Sequence, residues 1–361
     1  MSLKVKAAAL VEPRRIEIDQ YALPEIGEDD AILRVEQAGL CGTDYKLFTG
    51  GFPLQYPVIL GHEILGRIER IGPGMAAREG LKEGDRVVVE SGVPCGKCPV
   101  CDAGQYRLCF RGHNYGFSNS SKPPYLWGAF AEYMYLAQGS FINKVAEHVN
   151  AEAATVAAST LGNGIRWMRS VGNAEIGKSV LILGCGAQGL CSVIAAKESG
   201  AYPIMITGLT ADAPRLALAR ELGADVCIDI QKEDVTDAVR QATGGRMASV
   251  VLDVTGNAES IARSIELVET FGTVVCGSHV SNNVPAMINT NDIVNREIRF
   301  QGVFTHSAEN TRQAMRVAES GKYPLEKFIS HRFSIDEAEK AVRSIGREID
   351  GLNPIKVCIT P

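Results

Sequence analysis

Nothing in the 361-residue sequence runs to ~18 unbroken apolar residues, so no segment has the length of a membrane-spanning helix. Basic runs are missing as well. Lys and Arg total 37 against 42 Asp and Glu, a net charge of -5. Without a cationic patch, neither nucleic acid nor an anionic membrane is an expected partner. The first eleven residues alternate in strand fashion and lack the apolar core of a signal peptide, and the expectation is a cytoplasmic protein. Internal repeats, coiled-coil heptads and low-complexity tracts are also absent, which excludes solenoid and fibrous classes. Cysteine, in contrast, is plentiful. Ten thiols without an export signal point to metal binding before disulfides. With 45% apolar and 22% charged residues, the chain has the composition of a globular protein, and its length suggests two domains.

Four of the thiols form a cluster: Cys95, Cys98, Cys101 and Cys109. Given one cysteine, three more at chosen offsets arise by chance roughly 2 times in 100,000, so accident explains the spacing poorly. Four thiolates can close a tetrahedron round Zn²⁺ and leave no position for substrate, which would make this a structural metal. The surrounding lobe, residues 93–112, has little apolar content of its own, so a metal would have to supply its stability. A second group is different in kind. Cys41-Gly42-Thr43-Asp44 and Gly61-His62-Glu63 put a thiol, a hydroxyl, an imidazole and two carboxylates within a short stretch. Three such ligands and one open position make a catalytic zinc site, although an isolated Cys and His are also compatible with a buried thiol and an unrelated imidazole.

Along the chain, residues 1 to about 150 show short β-rich runs at Val5–Leu10, Ala31–Ala38, Ile64–Ile71 and Asp85–Glu90, separated by Pro, Gly and charged turns. A compact β-rich domain or barrel is expected there. The character changes at Asn150, which caps a stretch of strong helix formers. The apolar run Ser179–Leu183 then leads directly into Gly184-Cys-Gly186-Ala187-Gln188-Gly189 and a helical stretch. In that context the glycines have separate uses: Gly184 for the tight turn, Gly186 for approach of a pyrophosphate, Gly189 for helix packing on the strand. Phosphates would face the helix N-terminus. Strands expected at Pro203–Thr207, Val226–Ile230, Ser249–Asp253, Thr273–Cys276 and Ile298–Val303 alternate with helices, including one over Ala258–Thr270. Such alternation predicts right-handed crossovers and a parallel, doubly wound sheet. The closing pieces, a helix at Ala308–Ser320, a run at Ile329–Phe333, a helix at Ile335–Ile345 and a strand at Pro354–Ile359, are expected to return to the first domain.

In this order, Cys41-Gly-Thr-Asp44, Gly61-His-Glu63, Gly84-Asp-Arg-Val87, the four-cysteine lobe, Gly128-Ala-Phe-Ala-Glu-Tyr133 and the dinucleotide fingerprint resemble the zinc-dependent medium-chain dehydrogenase/reductase family, with its alcohol, sorbitol and threonine dehydrogenases. The resemblance spans essentially the whole chain. It implies an α/β protein with a GroES-like β-rich catalytic domain, residues 1–155 and 304–361, plus a doubly wound parallel-sheet Rossmann domain, residues 156–303, and an active-site cleft where they meet. It implies two zinc ions per chain, one held by Cys41, His62 and Glu63 and one by the four-cysteine lobe. Thr43 would take the alcohol proton, and Asp44 would orient His62. The implied activity is hydride transfer between a secondary, polyol or cyclic alcohol, or its ketone or aldehyde, and NAD(P). A homodimer or homotetramer is implied as well. Two alternatives remain beside it: a zinc-free reductase of the same fold acting on an activated double bond, and a non-catalytic dinucleotide-binding protein.

Three positions depart from the family pattern. Ser159 stands where relatives usually place a Cys or acidic zinc ligand, which shifts weight onto Glu63. Lys46 stands where many carry a relay histidine, and is also compatible with a solvated surface charge. An acid that would hold the ribose diol of NAD is missing, since Thr207 and Gly208 occupy its place. Asp212 is a candidate for ribose contact and favours NAD, the expected coenzyme, while Arg215 is a candidate for meeting the extra phosphate of NADP. Tyr45, Phe52 and Trp127 are candidates for a substrate pocket. The histidines outside the motif, His113 among them, carry no paired metal spacing and are expected at the surface or in hydrogen bonds.

Overall fold

The computed structural model describes residues 3–280 and 284–361. The chain divides into two compact units, one combining residues up to Ser159 with Met315–Pro361, the other Thr160–Ala314.

The first unit is built on β-strands. Lys4–Glu12 pairs antiparallel with Arg15–Ala22 on one side and Val58–Ile59 on the other. The sequence pattern does not predict a strand at Arg15–Ala22, because five of its eight residues face solvent and its apolar signal is weak. A larger sheet runs in the order Ile142–Lys144, Arg86–Val89, Glu63–Ile71, Ala31–Leu40, Lys356–Thr360, Ile329–Ser334. Ala31–Leu40 is the axis of this sheet and is buried along nearly its whole length, as its run of Ala, Ile, Leu and Val requires. Its register matters for function. Gly39 lies opposite Glu63 on one neighbour and Cys358 on the other, while Leu40 pairs with Val357. The end of one strand, the start of a second and the chain's closing strand are thereby brought side by side.

In the second unit, six parallel strands stand in the order Val226–Asp229, Ile204–Gly208, Val180–Leu183, Ala248–Asp253, Val268–Cys276, Arg299–Gly302. Two halves wind outward from Val180–Leu183 and Ala248–Asp253, the strand order of a dinucleotide-binding sheet. The central strand, Val-Leu-Ile-Leu, is fully buried, as strands covered by helices on both faces must be. One expected helix is shorter than its sequence pattern suggested. Ala258–Leu267 is helical, but Val268–Cys276 is strand, with β-branched Val268 buried opposite Ala248 of the neighbouring strand, where it fits better than in another helical turn. Among the described residues, no helix is long and apolar enough to cross a membrane.

Gly39 shows how tightly the large sheet is built. A Cβ on this residue would lie 2.2 Å from the Glu63 carboxylate and 2.8 Å from the Thr155 methyl. The substitution Gly39→Ala should therefore cost about 1–3 kcal/mol, read as a lower urea midpoint at unchanged slope.

Candidate active site and metal centres

Cys41 ends the axial strand and caps the short helix Gly42–Phe48. Its Sγ accepts the Thr43 backbone N–H at 3.3 Å, and Asp44 Oδ2 accepts the Cys41 backbone N–H at 2.9 Å. This is a capping box with a thiol in the place of the usual hydroxyl. The helix was not foreseen, since seven residues are too few for a periodic signal, yet it presents Thr43 and buries Asp44. Just before the neighbouring strand Glu63–Ile71, Gly61 adopts φ 94°, where a side chain would also meet the Phe130 ring, and this turn delivers His62. Cys41 Sγ and His62 Nε2 are then 3.2 Å apart, and His62 Nδ1 lies 3.3 Å from Asp44 Oδ1.

With Glu63, these residues place three potential ligand atoms within 4.8 Å of one another. Thiolate, imidazole and carboxylate suit Zn²⁺, and a tetrahedral ion with bonds of ~2.3 and ~2.0 Å would set its sulfur and nitrogen ligands roughly 3.5 Å apart, close to the separation found. Electrostatics point the same way. Burial alone would pull the His62 imidazole down, but Asp44 and Cys41 outweigh it and hold the ring well above its ordinary range. Asp44 and Cys41 thus favour a positive charge at this point. Asp44 also fixes the ring so that Nε2 is the free ligand nitrogen.

Glu63 has a partner that the sequence pattern did not disclose. Lys356, in the closing strand, puts Nζ 2.5 Å from Glu63 Oε2 and donates to the Leu40 carbonyl at 3.2 Å. Both side chains are almost wholly buried, at 1% and 2% exposure. The available signal was a lysine within the apolar run Ile355-Lys-Val-Cys-Ile, a charge that a buried strand carries only with a counter-ion. One ammonium thereby ties the carboxylate to the backbone just before Cys41.

The four lobe cysteines also converge, with ligand atoms within 4.8 Å of one another. Cys98 Sγ is 3.5 Å from Cys101 Sγ and 3.8 Å from Cys109 Sγ. Zn–S bonds of ~2.3 Å in a tetrahedron give sulfur separations of about 3.8 Å, so the cluster fits a closed zinc site. The Cys95 backbone N–H donates to Cys109 Sγ at 3.3 Å and is the leading cause of a Cys109 thiol pushed down to about 6. A short hairpin, Gly92–Val93 with His113–Asn114, closes the base of the lobe.

In the second unit, Gly184 adopts φ 103° and donates its N–H to the Thr207 hydroxyl at 3.1 Å. Gly189 lies so close to the Gly184 carbonyl that a Cβ would sit 1.9 Å from it, whereas a Cβ on Gly186 would meet nothing within 4 Å. Open space at Gly186, where the helix Ala187–Glu198 begins, is the cradle a pyrophosphate needs. Gln188 is engaged in the protein, donating to the Thr160 carbonyl at 3.2 Å and accepting from Asn163 at 3.3 Å. Asp212 and Arg215 pair with each other at 3.0 Å, both nearly buried, and Asp212 also accepts the Leu209 N–H. Ser159 lies in the π-helical turn Ala157–Leu161. Lys46 is partly buried, and desolvation pulls its amine below the usual range. Tyr45 donates to Glu348 at 2.6 Å, and Phe52 packs against the core.

Family models match both parts of the chain: an alcohol dehydrogenase GroES-like domain over residues 27–146 and a zinc-binding dehydrogenase domain over residues 187–320. The chain belongs to the zinc-dependent medium-chain dehydrogenase family. This dehydrogenase is 40% identical to the Mycobacterium tuberculosis protein named "Probable alcohol dehydrogenase adh", over 99% of this chain and 98% of that one. It is 31% identical to the D-arabitol-phosphate dehydrogenase of Enterococcus avium, over 94% and 92% of the two chains. Among solved structures, a Sinorhizobium meliloti 1021 protein bound to NADP superposes with a TM-score of 0.88 at 28% identity, covering 100% of both chains.

Two substitutions test the buried pair and the lobe. Lys356→Met takes the ion-pair partner from the buried Glu63 carboxyl, so the dehydrogenase should lose ~3–5 kcal/mol of stability in denaturant titrations, with Lys356→Arg recovering much of it. Cys109→Ser should remove one zinc equivalent in metal analysis and lower the melting temperature, while NAD(P)H fluorescence titration still detects coenzyme binding.

Proposed function

We propose that the dehydrogenase oxidises a secondary alcohol or polyol, and reduces the matching carbonyl, with a nicotinamide dinucleotide held at Gly184, Gly186, Ala187 and Gly189. The overall change is alcohol plus NAD(P)⁺ to carbonyl plus NAD(P)H and a proton. The observation that carries this reading is the convergence of Cys41, His62 and Glu63 with Asp44 behind the imidazole. The polyol named for the Enterococcus avium relative supports the substrate class.

Zinc bound at Cys41, His62 and Glu63 supplies a Lewis acid that acidifies the alcohol hydroxyl and polarises the carbonyl in the reverse direction. The protein's own groups do the rest. Cys41 and Glu63 bring negative charge to the metal position, and Asp44 keeps His62 Nε2 directed at it. Lys356 holds Glu63 in place. Thr43, two residues after Cys41 in the helix that Cys41 caps, accepts the alcohol proton at its hydroxyl oxygen and passes its own proton on towards solvent. Lys46, with an amine already shifted down by burial, lies one turn further along as the next titratable group towards solvent. A zinc held by Cys95, Cys98, Cys101 and Cys109 would supply stability to the lobe and no chemical step.

Coenzyme choice follows from what the second strand lacks. Thr207 and Gly208 carry no carboxylate to repel a 2′-phosphate, and the Arg215 cation is taken up by Asp212. Weak discrimination between NAD and NADP is the consequence, in place of the clear preference that a free acid or a free arginine would give.

Purified protein should carry close to two zinc per chain and reduce NAD or NADP with a member of an alcohol and polyol panel. Cys41→Ala should bring the zinc content to about one and cut turnover roughly a thousandfold, ~4 kcal/mol, with coenzyme affinity retained. Thr43→Val should lower kcat about a hundredfold, as loss of a positioned proton acceptor does. Activity that survives in Cys41→Ala with one zinc present would instead favour a zinc-free reductase.

A further inference from the structure

The first unit contains a cavity of about 630 Å³ that none of the groups above explains. Its floor is aromatic. Phe117 and Trp127 line it, the Phe117 ring packs at 5.4 Å and 47° against the His62 ring, and His113 stacks on Trp127 at 4.4 Å and 15°. Its polar groups are Gln55, His113, Ser118, Asn119 and Lys122, and no carboxylate is among its lining residues. Among the described residues, the Lys122 ammonium has neither an ion-pair nor a hydrogen-bond partner. For a chain of net charge -5, in which most of the lysines and arginines close to carboxylates pair with them, a cavity with cationic and imidazole groups and no acid is a local inversion of charge.

The walls are fixed. Asn119 Nδ2 donates to the carbonyls of Gln55 and Tyr56, each at 2.8 Å, and its Oδ1 accepts the Ser121 N–H at 3.0 Å, which clamps the two sides of the cavity to each other. His113 is held from below by the hairpin in which it pairs with Val93. Asn119 and Ser118 use their donors within the protein, which leaves Gln55, His113 and Lys122 as the groups that can meet a ligand. The metal group lies on the other side of Phe117, whose ring both lines the cavity and packs on the His62 ring.

We propose that this cavity receives the anionic end of the substrate: the dehydrogenase acts on an alcohol that carries a phosphate or carboxylate, with Lys122 and His113 holding that group while the reacting hydroxyl lies at Cys41, His62 and Glu63. Lys122 supplies the charge, His113 a ring nitrogen fixed in direction by Trp127, and the Gln55 amide suits hydroxyls along the chain. This inference rests on the alcohol dehydrogenase reading and adds the substrate class to it.

The test measures kcat/KM with D-arabitol, D-arabitol 5-phosphate and D-arabinonate, with both coenzymes, in wild type, Lys122→Met, Lys122→Arg and His113→Gln. An anionic substrate should be preferred at least tenfold over D-arabitol, with the phosphate and carboxylate arms deciding which anion it is. In Lys122→Met that preference should collapse by a factor of ten or more, mainly through KM, and Lys122→Arg should restore it in part. Isothermal titration of the wild type with D-arabitol 5-phosphate should give a binding signal that weakens in Lys122→Met, a readout independent of turnover. Equal use of neutral and anionic polyols, or a preference that Lys122→Met leaves in place, overturns the inference while the dehydrogenase reading stands. No turnover of any alcohol with either coenzyme, the full panel included, overturns the reading beneath it.

Discussion

A single ammonium group, Lys356 Nζ, lies where three strands of the first unit meet, and most of the candidate metal site depends on it. It reaches the Glu63 carboxylate and the Leu40 carbonyl at once, from a strand that enters the sheet 293 positions after Glu63. Taking two charges out of water is costly, and attraction between them repays that cost only in good geometry with further hydrogen bonds. The pair is thus better understood as a constraint on position than as a source of stability. A carboxylate held in a buried sheet one residue from His62 is placed to ligate a divalent cation. Gly39 completes the arrangement by leaving the space that Glu63 occupies.

The two candidate metal groups illustrate different uses of the same ligand chemistry. In the lobe, four thiols face one another and shut out any further ligand, and the surrounding loop has little core of its own. At Cys41 the donors come from the end of one strand and the beginning of another, with a helix N-terminus and a buried aspartate behind them. The first arrangement can replace a hydrophobic core; the second brings three donors to one point, one fewer than a closed tetrahedral site has.

Much of this was legible from residue order alone. The cysteine spacing, the fingerprint after an apolar strand, and the alternation of strands and helices beyond Asn150 each have a local physical cause, and local causes are what a sequence displays. Lys356, His113 and Lys122 were not legible. Their meaning comes from neighbours 293, 14 and 5 positions away, set by strand register, ring stacking and a folded loop, and none leaves a periodic trace. Asp212 and Arg215 show the reverse case. Each invited a separate reading as a coenzyme contact, yet three residues apart at a helix start they are placed to satisfy one another.

The small hairpin of Gly92–Val93 with His113–Asn114 connects matters that have so far stood apart. Val93 precedes the first lobe thiol by two residues, and His113 follows the last by four. The loop that a metal ion would close is therefore the loop that aims an imidazole into the cavity. For protein engineering, the cavity wall and the thiol cluster form one heritable cassette. A specificity loop moved from this chain into a relative has to travel with its four cysteines, because the ring it carries is aimed from their base.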